Sequence, residues 1–151
     1  MRDAPADRRI DRPSAATVLL AAASVMAGLI HAAVTPEHLV EAWVFGAFFA
    51  LAAGFQLGWA IAVIVRPSPG VYATGALANM ALIAIWLASR TTGLPVGPEP
   101  WAAEAVGLAD VSATMLEAIM VAGLLFRMTD SERSSHHGRL DASHEVATDD
   151  P

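Results

Sequence analysis

Residues 105–126 read AVGLADVSATMLEAIMVAGLLF. About 20 apolar residues suffice for a helix to cross a hydrocarbon core roughly 30 Å thick, and this run is long enough. It nevertheless carries Asp110, Thr114 and Glu117, spaced so that all three fall on one face of a helix. A charged side chain at the centre of a spanning helix costs about 2.5–3.5 kcal/mol on insertion scales. Both carboxylates must therefore face other protein, and a lone span offers none. The stretch predicts a bundle.

The rest of the chain supplies it. Of 151 residues, 55% are hydrophobic, too many for an ordinary soluble domain. They gather in three further runs, 15–34, 39–65 and 71–89, each of spanning length. The fold class is all-α: a polytopic membrane protein, an up-down bundle of four transmembrane helices. Short connections are expected at 35–38 and 66–70, with a longer loop at 90–104. Residues 15–127 form the transmembrane domain, lying between an N-terminus (1–14) and a tail (128–151) that are polar and expected to be disordered.

The nine basic residues are all arginine. Arg2, Arg8, Arg9 and Arg12 precede the first span, Arg66 follows the second, and Arg127, Arg133 and Arg139 follow the fourth. Only Arg90 falls on the opposite side. The positive-inside rule then puts both termini in the cytoplasm of a bacterial cell, the chain in the plasma (inner) membrane, and the 35–38 and 90–104 loops outside. Cysteine is absent, which excludes disulfides and thiolate-bound metals. No basic-aromatic patch suggests nucleic acid. No catalytic triad, phosphate loop or dinucleotide fingerprint suggests an enzyme.

Several residues qualify as a site. The first span ends one turn beyond His31, with Thr35 read as the N-cap and Pro36 as the first residue of the second helix. His31, His38, Glu41 and Asp110 would then meet at the outer rim. Two imidazoles and two carboxylates suit a divalent metal ion. The competing reading is a hydrated rim, with His31 bonded to a neighbouring helix. His38 and Glu41 stand in the order His-x-x-Glu, once, and not as the paired Glu-x-x-His of carboxylate-histidine metal bundles. A haem held by two histidines of one chain lacks its second intramembrane histidine; one shared between protomers stays open.

In the third span, Gly75, Asn79, Ile83, Trp86 and Arg90 form a stripe. Arg90 would pair with Asp110. Glu117, deeper, would stand apart and keep its proton, with Asn79 as hydrogen-bond partner. Gln56 is the one polar side chain deep in the second span and is read as a helix–helix hydrogen bond. Asp110 is the first choice for a functional residue. In the second span Gly46, Ala50, Gly54 and Gly58 recur every fourth residue, a groove where another helix can approach closely.

The segments from His31 to Glu41 and from Ser89 to Pro98, followed by Glu104 and Asp110, resemble a family of small four-span membrane proteins of high-GC bacteria. The resemblance covers roughly residues 25–120. It implies the four-span fold and adds no activity.

Three functions stay open from sequence. One is a binding protein with a polar intramembrane pocket near the outer face, built from His31, Glu41, Arg90, Asp110 and Glu117 with Asn79 behind, for a metal ion or small polar ligand. The second is a proton- or cation-coupled transporter or channel, acting as an oligomer. The third is an accessory subunit docked on a larger membrane complex through the glycine groove.

Overall fold

A computed structural model describes the backbone of residues 13–148 and the side chains of 13–130. The expected disordered N-terminus lies outside the described residues apart from Pro13 and Ser14. Four helices follow one another: α1 (Ala15–Glu41), α2 (Trp43–Val65), α3 (Pro69–Thr91) and α4 (Leu108–Thr148). Each contains a stretch long and apolar enough to span a membrane, in α4 Leu108–Asp130. Large apolar side chains such as Leu19, Leu51, Ile61, Leu77 and Ile119 point outward, as lipid requires and water would penalise. The protein is an all-helical, multi-pass membrane bundle.

The first connection differs from its expected place. Pro36 lies inside α1, which runs on to Glu41. A proline lacks the N–H that would bond one turn back, yet spanning helices tolerate it when nearby side chains and backbone take up the strain. The carbonyl that loses its donor is that of Ala32; on either side of it the Thr35 hydroxyl donates to His31 O (2.7 Å), and His38 Nδ1 lies 2.9 Å from Val34 O. The reversal happens instead at a single extended residue, Ala42, whose N–H closes α1 on His38 O. So abrupt a turn presses α2 onto α1. A Cβ on Gly46 would come within 2.7 Å of Leu39 Cα, and only glycine fits there.

That contact also revises the glycine groove. Gly46 is buried against α1, whereas Ala50, Gly54 and Gly58 are exposed. Nothing lies within 4 Å of a Cβ built on Gly54 or Gly58.

The second connection is a short turn, Arg66 to Ser68. The Ser68 hydroxyl accepts from Val71 N and caps α3, with Pro69 at its start. The fourth helix begins at Leu108, later than the expected 105, because residues 102–107 are irregular. It then continues to Thr148, where the sequence predicted a disordered tail from 128. No proline interrupts the chain between Trp101 and Asp150, and a helix satisfies its own backbone without needing an apolar face.

Along its axis the bundle has three levels. At the end holding Ser14, the 66–68 turn and Arg127, a sealed core contains Leu20, Trp59, Val63, Met120 and Leu124. Arg127 ties that end together, donating to Ser14 Oγ (2.9 Å) and to the Tyr72 hydroxyl (3.3 Å). Above the core lies a belt of amides. Gln56 Nε2 donates to Asn79 Oδ1 (2.9 Å), Asn79 Nδ2 donates to Gly75 O (2.7 Å), and the Ser24 hydroxyl lies 2.6 Å from Gln56 Oε1. All three side chains are fully buried, and they link α1, α2 and α3. The Gln56 reading as a helix–helix bond holds. The third level, toward the 92–107 loop, is open inside.

Candidate functional site: a cavity at the loop end

Glu117 is nearly inaccessible, at 2% exposure, yet it is not alone. Its Oε1 lies 3.0 Å from His31 Nε2. Each side chain thus has a hydrogen-bond partner in an interior where an unpaired polar group is costly. His31 reaches this depth because α1 continues ten residues beyond it, about 15 Å at 1.5 Å per residue. Two changes follow for the expected site. Glu117 does not stand apart, and Asn79 is not its partner, being engaged with Gln56 and Gly75 O.

Arg90 and Asp110 do pair. Arg90 Nη2 donates to Asp110 Oδ2 at 2.6 Å, and Nη1 donates to Glu104. Asp110 Oδ2 also accepts from Gly107 N (3.1 Å). It thus holds the start of α4, where a negative charge favours the helix dipole. Glu104 escaped notice as a partner of Arg90 because it belongs to the loop. It is brought back by its own N–H, which donates to Ser89 O (3.0 Å).

The loop closes on itself and on α2. Trp101 N donates to Leu94 O (2.8 Å), and Trp101 has φ 65°, an uncommon conformation for a residue with a Cβ. Gly93, at φ 71°, sits where a Cβ would strike the Trp101 and Ala102 backbone. Gly97 rests on the Phe45 ring.

Beneath this loop all four helices enclose a cavity of about 300 Å³. His31 and Glu117 lie at its deep end, and Arg90, Glu104 and Asp110 lie at its loop end. Between them the wall is largely apolar and aromatic, with Phe45, Phe48 and Phe49 from α2 and Ile85 and Trp86 from α3. Phe49 packs against both histidines, with ring centroids 4.2 Å from His38 and 5.7 Å from His31. This aromatic wall was not read as part of a site. The Trp86–Arg90 stripe was the available signal on α3. On α2 the phenylalanines carry no pattern that separates a cavity wall from a lipid face.

The expected metal set is not assembled. His31 is with Glu117, Asp110 with Arg90, His38 with Val34 O, and Glu41 is exposed. Among the described residues no three histidine or carboxylate side chains converge to hold a metal ion. The rim cluster failed because it relied on the helix ending at Val34. With α1 continuous to Glu41, His31 and Glu41 lie nearly three turns apart.

Compared with family models, with curated proteins and with solved structures, the chain matches none.

Proposed function

We propose that this protein is a membrane-embedded binding protein, whose loop-end cavity takes one small, largely apolar molecule with a polar group. The observation that carries this reading is the cavity itself: about 300 Å³, walled by all four helices, mostly apolar, with polar pairs at its two ends. Small-molecule pockets span roughly 300–1,000 Å³ and combine apolar walls with a few placed polar groups. The ligand is more apolar than the small polar ligand or metal ion that the sequence suggested. His31, Arg90, Asp110 and Glu117 remain its polar boundary, while Asn79 and Glu41 drop out.

Binding is favoured over conduction. Below the amide belt, Val63, Met120 and Leu124 are wholly inaccessible, so among the described residues apolar side chains fill the interior of the single bundle below the cavity. The accessory role keeps one support, the open backbone at Gly54 and Gly58. By the arginine distribution, both termini lie in the cytoplasm of a bacterial inner membrane. Ala103→Cys should then react with an impermeant maleimide in intact cells, and Pro67→Cys only after permeabilisation; the reverse pattern refutes this orientation.

The binding reading is tested by saturable uptake of diphenylmethane into protein in lipid nanodiscs, measured above lipid partitioning. One molecule per chain is expected, lost in Thr114→Phe, which fills the cavity. Uptake that never saturates, or that ignores the substitution, rejects it.

A further inference from the structure

The helices form a ring in which each packs closely against two others: α1 with α2, α2 with α3, α3 with α4, and α4 with α1. Four seams therefore bound the cavity, and three of them are fastened at its level. The Ala42 turn joins α1 to α2, and the Phe49 ring packs on His31 and His38 across that seam. His31 and Glu117 join α1 to α4, and Arg90 and Asp110 join α3 to α4. The fourth seam, between α2 and α3, is fastened only lower down. There Gln56 donates to Asn79 and the Trp59 indole to Val71 O, with Gly75 set against the Trp59 ring. Above Gln56, no side-chain hydrogen bond or ion pair among the described residues joins these two helices. They also make the least contact of the four neighbouring pairs.

The upper part of this seam is apolar on both sides. Phe48 lines the cavity three turns before Trp59, on the α3-facing side of α2. Ile85 lines it three turns after Thr74, which borders the outer groove between α3 and the Gly54–Gly58 face of α2. Ile85 is also 38% exposed, making it both a wall residue and a lipid-facing one. Parting apolar side chains in a bilayer exchanges them for equally apolar lipid tails and costs little. Parting His31 from Glu117, or Arg90 from Asp110, would strand polar groups. Entry from the loop end would have to undo the Glu104 contacts with Arg90 and Ser89 O, and the seat of Gly97 on Phe45. Resting on the binding reading above, we propose that the ligand is a molecule dissolved in the bilayer, and that it enters and leaves sideways between α2 and α3, past Phe48 and Ile85. Its class is one that partitions into hydrocarbon and needs no aqueous route. Part of it can stay in the lipid while the rest occupies the cavity.

A photoreactive probe that cannot leave the membrane tests this. In nanodiscs, a phosphatidylcholine with benzophenone on one acyl chain is compared with free benzophenone. The tethered ring can reach the cavity only sideways, and its chain must then lie in the seam. It is expected to label Ile30, Val34 and Thr114 saturably, in competition with diphenylmethane. Ile85→Trp narrows the mouth and should lower that labelling about tenfold, an overpacking penalty of about 1.4 kcal/mol. Free benzophenone, allowed to equilibrate, should still label the cavity of this variant, because the seam can close behind it. If free benzophenone labels the cavity while the tethered ring marks only outward residues such as Leu51 and Ile61, the lateral route is overturned and the binding reading stands. Tethered labelling that ignores Ile85→Trp overturns the placing of the route in this seam. If neither probe labels the cavity, the binding reading itself falls and takes this proposal with it.

Discussion

At the level of Glu117 and His31, a carboxyl group and an imidazole on different helices are held 3.0 Å apart. Removing either partner alone leaves the other as an unpaired polar group in a dry interior, a loss of about 1–3 kcal/mol. Removing both leaves neither group stranded. His31→Ala and Glu117→Leu are therefore each predicted to destabilise the bundle, and the double variant to lose less than their sum. The coupling should be about 0.6–2 kcal/mol, the range for polar contacts between spanning helices. Reversible unfolding in mixed micelles measures it; additive losses would show that the two side chains are not energetic partners. Asp110 is a different kind of residue. Its carboxylate holds Arg90 and Gly107 N, work that fastens α4 to α3, so the sequence's first choice for a functional group reads better as a fastener for the loop.

At the scale of elements, the turn at Ala42 sets the vertical register of α1 against its neighbours, and Gly46 makes that turn possible. Gly46→Ala is predicted to cost about 1–3 kcal/mol by overpacking, because the added carbon meets the Leu39 backbone. Gly54→Ala should change the stability of the purified protein little, since nothing lies within reach of its Cβ. Thermal melting of the two variants side by side checks both; equal losses would mean that the Gly54 face is covered. This turn also explains what the sequence could and could not reveal. The inward face of Asp110 and Glu117 was legible, because lipid penalises charge whatever the helix packs against. The Arg90–Asp110 pair was legible because both residues fall near the same ends of neighbouring spans. The His31–Glu117 pair was not. Thr35-Pro36 obeys every local rule for a helix start, and reading it as one left His31 one turn from the rim. The continuous α1 buries it deeper, level with Glu117. Local rules see the cap; only packing across the bundle decides whether the helix stops.

Taken whole, the molecule is asymmetric along its axis. One end is sealed by Leu20, Val63, Met120 and Leu124 and clasped by Arg127. The middle is crossed by a belt in which Ser24, Gln56 and Asn79 satisfy one another. The other end is hollow and covered by a loop that folds back onto α2. A bundle of four helices closed at one end and hollow at the other is suited to holding a molecule, and this is the central claim. Photolabelling tests it most directly. Irradiated benzophenone inserts into C–H bonds within its reach, so peptide mapping reads where it was bound. The account predicts saturable labelling, competed by diphenylmethane, on the cavity residues Ile30, Val34, Phe49, Ile85 and Thr114. Labelling that does not saturate and falls on the outward side chains Leu51, Ile61 and Met115 would contradict it.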